Sequence, residues 1–435
     1  MTFIGSSLRI VDAVAARLGL LGKELDAEEM VRAARWSAGH NDFGDLEFVE
    51  PLRMLLRACV AEADLSFVGR MAVRWDTQRF LTNLLTLRAA ERAAPAILNE
   101  RIERPVFVMG LPRSGTTFLH RLLLEEPTTT APMVWQTIYP YPTRADRRRD
   151  GRVARVARQL RAFERIAPEF RDLHPLDATS PQECSEITAH VFRSLRFDTT
   201  YQIPSYRMWL DSEGHVPAYR FHRRFLQHLQ FQRPLGVPAP RWVLKCPDHL
   251  FALDALRAVY PDARVVFVHR DPVKVLLSNC RLTEVLRAPF SRHVDRPAIG
   301  RQESARWFEG TAHMVAAGET AGFDTPILHV HYLDLVADPL ATVESVYRHA
   351  GIEMSEGTAE RIEAYIKARP NGGYAPHHYD FADHGLNAAA EREKFRRYMV
   401  HFGVQTEEAR GRRVRLRDPA GAPPGSNTSL RHGAG

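Results

Sequence analysis

Apolar positions in the first hundred residues recur at intervals of three to four, which is the spacing of an amphipathic helix. The pattern runs through DAEEMVRAARWSA and returns in TQRFLTNLLTLRAAERAA. Neither stretch alternates apolar and polar residues as a half-buried strand would. Residues 1–100 are therefore predicted to form a helical N-terminal segment.

After Arg104 the pattern changes to short runs of β-branched and aromatic residues, which are typical of buried strands. The first run is PVFVMG, and three more follow as RWVLK (241–245), RVVFVH (264–269) and ILHVHY (327–332). Helical stretches separate these runs, which favours a parallel sheet covered by helices on both faces. The prediction for residues 101–405 is an α/β domain with three layers around a central parallel sheet.

The connection between the first two runs is long, covering about residues 118 to 240. Its central part, residues 128–235, is predicted to be an insertion that forms a substrate pocket. Beyond Arg410 the chain becomes RDPAGAPPGSNTSLRHGAG, which is too rich in Gly, Pro and Ser to pack. Residues 406–435 are therefore expected to form a flexible tail.

The composition is that of a folded globular protein: 45% of the 435 residues are hydrophobic and 26% are charged. The net charge of 59 − 52 = +7 favours anionic partners without choosing among them. No uncharged apolar run reaches the length of a membrane span. No RNA-binding signature or zinc-finger spacing supports a nucleic-acid partner.

The cysteines lie far apart and form no CxxC pair, so neither a disulfide framework nor a cysteine zinc site is indicated. They are Cys59, Cys184, Cys246 and Cys280. The N-terminus has no basic start, and charged residues interrupt its apolar stretch, unlike a secretory signal. A reducing compartment and a cytoplasmic location are predicted.

A glycine-containing loop joins PVFVMG to a helix predicted to start at about Ser114. Backbone N–H groups of residues 113–117, unpaired at a helix start, would converge on an anion there, and the helix dipole adds a favourable field. A phosphate-binding loop is predicted, and an ordinary strand-to-helix turn is the alternative.

The loop nearly matches the nucleoside-triphosphate pattern GxxxxGK[ST]. Gly110, Gly115 and Thr117 fit it, but Thr116 stands where the lysine should be. That lysine neutralises the β- and γ-phosphates during phosphoryl transfer, so its absence argues against ordinary ATP or GTP hydrolysis. The loop's cation is Arg113.

A second anion site is predicted after RVVFVH, in the segment Arg270-Asp-Pro-Val-Lys-Val-Leu-Leu-Ser278. Asp271 suits a helix N-cap and Pro272 the first helical position. Arg270 would then lie at the strand's end, and Ser278 about two turns into the helix. A guanidinium binds a phosphate monoester well because it offers two parallel donors. A capped surface helix with a structural arginine is the alternative.

Residues Pro112 to Thr117 resemble the Pro-[Arg/Lys]-Ser-Gly-Thr-Thr loop of sulfotransferases that use 3′-phosphoadenosine 5′-phosphosulfate (PAPS). The resemblance runs with gaps from about residue 104 to 402, to bacterial members and more distantly to tyrosyl-protein sulfotransferases. It implies a P-loop-like fold. It also implies that the cofactor is bound by the loop and the second element, through Arg113, Ser114, Gly115, Thr116, Thr117, Arg270 and Ser278.

The segment Val243-Leu-Lys-Cys-Pro-Asp resembles the family's Lys-x-Pro segment, which implies that Lys245 lies against the transferring sulfuryl group. Arg113 is predicted to share this charge-neutralising role. A surface lysine is the alternative for Lys245. No metal is expected, because these two cations would replace the magnesium of kinases.

The general base is predicted within HPLDATSPQE, as Glu183 or His174, because Gln136 stands where relatives often carry a glutamate. Ser180 and Pro181 predict a helix start that would place Glu183 in the first turn, where it could instead complete a capping box. His174 needs no tuning to act near neutral pH.

The predicted function is transfer of a sulfuryl group from PAPS to a hydroxyl or amine of a small-molecule, lipid or carbohydrate acceptor. An atypical P-loop kinase or NTPase and a non-catalytic nucleotide-responsive binding module are the alternatives. The acceptor stays undecided, because the aromatic residues of the insertion suit lipids, phenols and sugars alike: Tyr139, Tyr141, Phe192, Tyr201, Tyr206 and Trp209.

An arginine-dense stretch between Arg144 and Arg161 is interpreted as a solvated helix face, and peripheral contact with a membrane surface through it stays open. His329 and His331 alternate on a strand and share a face, an arrangement that metal ligands also adopt. Core histidines are favoured, because no carboxylate or cysteine pattern accompanies them.

Overall fold

The computed structural model describes residues 25–142, 150–173, 175–234, 236–319, 323–369 and 380–407. The strands are β1 (Val106–Gly110), β2 (Thr129–Thr130), β3 (Arg241–Lys245), β4 (Arg264–His269) and β5 (Leu328–His331). The helices before β1 are α1 (Ala27–Ala38), α2 (Val49–Ala61) and α3 (Phe67–Ala93), in the region where the sequence pattern predicts helices.

The connection from β1 to β3 contains many helices and the short β2. The helices are α4 (Thr116–Leu122), α5 (Val134–Ile138), α6 (Arg152–Ile166), α7 (Phe170–Leu173), α8 (Cys184–Thr188), α9 (Arg196–Thr200), α10 (Pro204–Glu213) and α11 (Val216–Phe231). After β3 come a 3-10 helix (Pro247–Phe251), α12 (Leu253–Val259), α13 (Pro272–Arg287), α14 (Arg296–Glu319), α15 (Tyr332–Ala337), α16 (Pro339–Ala350), α17 (Thr358–Ala368), α18 (Ala388–Lys394) and α19 (Arg396–His401).

The sheet has the order β2-β3-β1-β4-β5, and every neighbouring pair in it is parallel. The four predicted strands are present, which confirms the α/β fold class. The two-residue β2 extends one edge and was not predicted, because two residues carry no readable periodicity. In a parallel sheet all strands end at one edge, so the residues that follow β1, β3 and β4 come together there.

Both faces of the sheet are covered by apolar side chains. Val106 and Val108 of β1 face a cluster that includes residues of α4, α16 and α17. Phe107 and Met109 face the opposite way, into a larger cluster that also contains side chains of α1, α2, α3 and α11. This alternation follows from the period of two along a strand, and it buries β1 completely.

A buried ion-pair network ties the N-terminal helices to the connection between β1 and β3. On α3, Arg79 binds Asp76 and also Glu186 of α8, both at 2.7 Å. Arg196 of α9 lies 3.1 Å from Asp76 and 2.9 Å from Glu186. Because the four groups neutralise one another inside the protein, they hold α8 and α9 in place beside the carboxyl edge of the sheet.

All four cysteines are buried, and burial raises the pKa of each thiol. No helix among the described residues is both long and apolar enough to cross a bilayer. In the arginine-dense stretch, residues 143–149 lie outside the described residues, whereas Arg152 packs over the Trp135 ring at 4.5 Å and Arg161 is exposed. Of the predicted tail, residues 408–435 also lie outside them.

The histidines on β5 are not arranged as metal ligands. His329 hydrogen-bonds His269 at 2.9 Å and lies beside the Phe402 ring. No group of three potential metal ligands occurs in the part of the chain that the structure describes.

Candidate active site

The loop after β1 is shaped by two glycines. Gly115 has a φ of 92° and is the N-cap of α4, which begins at Thr116, two residues later than predicted. A Cβ at Gly115 would lie 2.8 Å from the Tyr332 ring, and a Cβ at Gly110 would lie 2.3 Å from the Val268 carbonyl oxygen. Only glycine fits either position, so the loop packs closely against β4 and α15.

The Arg113 side chain points toward the second predicted anion site. Its Nε donates to Ser278 Oγ at 3.2 Å and its Nη1 to the Leu173 carbonyl at 2.9 Å. Arg270 in turn donates from Nη1 to the Arg113 carbonyl oxygen at 2.6 Å. The structure thus brings Arg113, Ser278 and Arg270 together, although 157 residues separate the two arginines along the chain.

The other loop residues line a cavity at the carboxyl edge of the sheet or lie beneath its surface. Gly115, Thr116 and Thr117 line this cavity. Ser114 is fully buried, and its hydroxyl has no hydrogen-bond partner among the described residues. A buried hydroxyl without a partner is costly, so this loop is suited to a ligand that accepts a hydrogen bond.

The helix start predicted after β4 is confirmed. Asp271 is the N-cap of α13, and its Oδ1 accepts the Val273 N–H at 3.0 Å, with Pro272 at the first helical position. The guanidinium of Arg270 stacks on the Tyr332 ring, 3.8 Å from its centroid. In the sequence, Tyr332 stands out only as the last residue of the run ILHVHY, because nothing in the chain signals a ring contact made across the sheet edge.

Lys245 and Glu183 form a pair at the end of β3. Lys245 Nζ lies 2.5 Å from Glu183 Oε1 and 3.2 Å from Thr117 Oγ1. Only 4% of the Lys245 side chain is exposed, against 29% for Glu183, so the alternative of a surface lysine is wrong. The pair places a cation and a carboxylate directly beside the phosphate-loop threonine.

The predicted helix start at Ser180 is wrong, and the observed start leaves the Glu183 side chain without a capping role. Helix α8 begins at Cys184, and Glu183 is its N-cap residue with an extended backbone and no side-chain capping bond. Upstream, Pro181 forms an antiparallel bridge with Met133, which keeps this segment extended. Because no capping box forms, the Glu183 carboxylate is available to reach Lys245.

Gln136, which stands where relatives often carry a glutamate, and His174, the other candidate base, have different outcomes. Gln136 accepts the Met133 N–H on its side-chain oxygen at 2.9 Å and so closes the start of α5. His174 lies outside the described residues. The structure therefore brings Glu183 to Lys245 and leaves His174 a prediction.

The cavity, of about 1600 Å³, runs along the carboxyl edge of the sheet, and residues of both predicted anion sites line it. Asp248, on the 3-10 helix after Lys245, pairs with Arg306 of α14 at 2.9 Å. Arg306 also donates to Thr199 Oγ1 at 3.4 Å. Burial raises the pKa of Asp248 to about 6; Arg306 opposes this shift, and the charge of Glu183 adds to it.

Beyond this pair, the cavity wall carries Glu186, Arg196, Thr199 and Thr200. We call the wall formed by these four residues with Asp248 and Arg306 the charged wall. The sequence did not reveal it, because its members come from four separate elements with no common spacing. None of the six aromatic residues expected to shape the acceptor pocket lines the cavity. Among them, Phe192, Tyr201 and Tyr206 are buried in the core.

Comparison with known proteins identifies the group to which this fold belongs. The model of the sulfotransferase family matches residues 105–356, more than half of the chain. The chain belongs to the sulfotransferase family. This confirms the resemblance seen in the loop and the prediction of a sulfotransferase at the level of family, and it disfavours an atypical kinase.

Solved sulfotransferase structures share the fold. The chain is 31% identical to sulfotransferase STF1 from Mycobacterium tuberculosis, with 85% of this chain and 97% of that chain covered and a TM-score of 0.72. It is 26% identical to sulfotransferase STF9 from Mycobacterium avium, with 87% and 97% covered and a TM-score of 0.78. These similarities extend beyond the family match, into the N-terminal helices.

A curated relative is the omega-hydroxy-beta-dihydromenaquinone-9 sulfotransferase Stf3 of Mycobacterium bovis, which is 25% identical over 278 residues. The Stf3 protein of Mycobacterium tuberculosis matches to the same extent. The match covers 60% of this chain and 66% of the relative's length. The chain thus spans slightly less than two thirds of these relatives.

Proposed function

We propose that this sulfotransferase-family protein moves a sulfuryl group from PAPS to a hydroxyl group of a polar acceptor. The observation that carries the proposal is the position of the Lys245–Glu183 pair beside Thr117, at the end of a phosphate loop that lacks the lysine of nucleoside-triphosphate enzymes. Such a site has a cation for the transferring group and a carboxylate for the acceptor proton, and both come from the chain itself.

The donor would be held at its two phosphate-bearing ends. The loop residues Gly115, Thr116 and Thr117 would surround the 5′-phosphosulfate, and the unpartnered hydroxyl of Ser114 supports a ligand there. Arg270 and Ser278 would bind the 3′-phosphate. The contact of Arg113 with Ser278 supports a role for Arg113 at that end, beyond the neutralising role expected from the sequence.

The transfer breaks the bond between sulfur and the phosphate oxygen of the donor and forms a bond between sulfur and the acceptor oxygen. Lys245 would neutralise the negative charge that develops on the departing oxygen. Glu183 would accept the proton of the acceptor hydroxyl. Because Lys245 and Glu183 are already paired, both charges are in position before substrates bind, which limits reorganisation during the reaction.

His174 is the alternative base. Its place in HPLDATSPQE, close to Glu183 in sequence, supports it, and an unperturbed imidazole accepts a proton near neutral pH. Glu183 is our choice, because it lines the cavity beside Lys245, where the transferring group would lie.

The acceptor is proposed from the charged wall. Asp248 with Arg306, and Glu186 with Arg196, present carboxylates and guanidinium groups that suit hydroxyl-rich ligands, since each hydroxyl can donate and accept. A sugar or another polyol, free or as the head group of a lipid, fits this wall better than a phenol. The named substrate of Stf3, a hydroxylated menaquinone, supports a lipid alcohol as the second candidate.

The test is transfer from ³⁵S-labelled PAPS to a disaccharide, a glycolipid bearing the same sugar, a phenol and a long-chain alcohol. We expect label on one or both sugar compounds, and about 10²- to 10³-fold slower labelling with Lys245→Ala. Label on the phenol or the long-chain alcohol alone would refute the polar acceptor. Transfer of ³²P from γ-labelled ATP, with none from PAPS, would refute sulfuryl transfer itself.

We also propose a cytoplasmic location for the protein. Four buried, unpaired cysteines support a reducing compartment.

A further inference from the structure

The guanidinium of Arg270 already holds an anion that belongs to the chain. Arg270 Nε lies 2.7 Å from Glu407 Oε1, and Arg270 Nη2 lies 3.0 Å from Glu407 Oε2. Two parallel N–H···O bonds of this kind are how an arginine also binds a phosphate. Glu407 therefore occupies the bidentate edge of the side chain that is proposed to hold the donor's 3′-phosphate.

The remaining surfaces of that guanidinium are largely taken by the protein. Its Nη1 donates to the Arg113 carbonyl at 2.6 Å, and one of its faces stacks on Tyr332. A phosphate that binds Arg270 through two parallel bonds thus meets Glu407 at the same edge. Two anions cannot share this edge, because each needs the same N–H groups and like charges repel at such distances.

Local contacts hold Glu407 at this place. Its backbone N–H lies 3.4 Å from Asp271 Oδ2, on the residue that caps α13. Three positions earlier, Val404 is buried in the core, and its N–H donates to the Met399 carbonyl at 2.8 Å. The Glu407 side chain is 22% exposed, so its carboxylate can leave Arg270 for water while the backbone stays anchored.

We propose that Glu407 is an internal competitor for the 3′-phosphate, which keeps Arg270 paired in the nucleotide-free protein and lowers the affinity for every nucleotide that carries this phosphate. The inference rests on the proposed function, in which Arg270 binds that group. The product of transfer, adenosine 3′,5′-bisphosphate, carries the same phosphate, so return of Glu407 to Arg270 would also speed product release. Removing the competitor should tighten binding by a factor equal to the inverse of the fraction of protein in which Arg270 is unblocked.

The experiment is isothermal titration of the full-length chain with adenosine 3′,5′-bisphosphate and with AMP, without magnesium. Glu407→Gln keeps the size of the side chain and removes its charge. We expect it to bind the bisphosphate roughly 3- to 30-fold more tightly than the wild type and to bind AMP within about twofold of it. Glu393→Gln is the matched control, because that glutamate pairs with Arg396 on the exposed side of the same C-terminal region.

A second variant separates contact from overall charge. Glu407→Asp keeps the charge but is one methylene shorter, so it should lose the bidentate contact and tighten bisphosphate binding as well. The inference is overturned if Glu407→Gln binds the bisphosphate no more tightly than the wild type, or if Glu407→Asp behaves as the wild type does. A wild-type protein that binds AMP as tightly as the bisphosphate would instead overturn the proposed function.

Discussion

The end of the cavity that is proposed to bind the nucleotide, here called the nucleotide end, and the charged wall are built in different ways. At the nucleotide end, Arg113, Lys245 and Arg270 lie at or just after the ends of β1, β3 and β4, so the parallel sheet itself brings them together. In the charged wall, Glu186 and Arg306 come from separate helices and meet their partners through side-chain contacts alone. Backbone topology determines the first site, and side-chain pairing determines the second.

The two ends share one electrostatic feature. Lys245 pairs with Glu183 and Arg270 with Glu407, just as Arg306 pairs with Asp248. Each of these cations lines a water-accessible cavity or lies beside it, and each is neutralised by a carboxylate of the chain. Binding a substrate anion at the nucleotide end then becomes an exchange of partners, in which the incoming anion displaces a carboxylate of the chain.

Loss of the carboxylate at the reacting centre should have the largest effect. Glu183→Gln should lower the single-turnover rate by about 10²–10⁴, the range for general acid–base catalysis, with bisphosphate affinity retained. His174→Ala is measured beside it under the same saturating acceptor. A normal rate in Glu183→Gln together with a large loss in His174→Ala would transfer the role of base to the histidine.

The second-largest effect is expected from loss of the cation at the reacting centre. Lys245→Ala should lower kcat by about 10²–10³, because one preorganised charge at the departing oxygen is removed. Its affinity for adenosine 3′,5′-bisphosphate, which has no sulfuryl group, should change little. Lys367→Ala, on the exposed side of α17, is the control. Undiminished turnover in Lys245→Ala would reduce the role of Lys245 to packing.

The opposite kinetic pattern is expected at the other end of the nucleotide. Arg270→Ala should weaken bisphosphate binding by roughly 10- to 100-fold, since hydrogen bonds to charged groups contribute about 1.5–3 kcal/mol. Its kcat at a saturating donor concentration should stay near normal. Isothermal titration with the bisphosphate measures the affinity of Arg270→Ala, and Arg396→Ala, at an exposed residue, is the control. Equal affinity in both variants would remove Arg270 from the nucleotide site.

The smallest effect is expected at the charged wall and depends on pH. The folded-state pKa of Asp248 is raised to about 6, so its carboxylate is protonated as the pH falls through that value. The KM for a disaccharide acceptor should rise roughly 3- to 10-fold between pH 7 and pH 5, as a charge-assisted hydrogen bond is lost. Asp248→Asn should have the higher KM throughout and a flatter profile, with Asp254→Asn, at an exposed side chain of α12, as control. An unchanged pH profile in Asp248→Asn would exclude Asp248 from acceptor binding.

The sequence indicated the proposed nucleotide end because its candidate residues lie in continuous segments. Strand, loop and helix around Gly110 and Gly115 could be predicted from local pattern, and Asp271 with Pro272 gave the second helix start. The position of Glu183 could be predicted only in part. Its approach to Lys245 depends on the bridge between Met133 and Pro181, which has no local sequence signal.

The side-chain pairs that the sequence did not indicate join residues that are distant along the chain. The pairs of Asp248 with Arg306 and of Arg270 with Glu407 join residues 58 and 137 positions apart. Neither spacing follows a helical or strand period, so no single-sequence pattern indicates them. The aromatic residues of the insertion were expected to shape the acceptor pocket, and that expectation is wrong. Large rings such as Tyr206 fill the core more often than they line a polar cavity.

The most direct test of the account is a comparison of ligands by thermal unfolding. Adenosine 3′,5′-bisphosphate without magnesium should raise the Tm, since a ligand at about 100 times its Kd adds roughly 2.7 kcal/mol to stability. AMP at the same concentration should raise it much less, because it lacks the 3′-phosphate that Arg270 and Ser278 would bind. Stabilisation by ATP with magnesium, and none by the bisphosphate, would contradict the account.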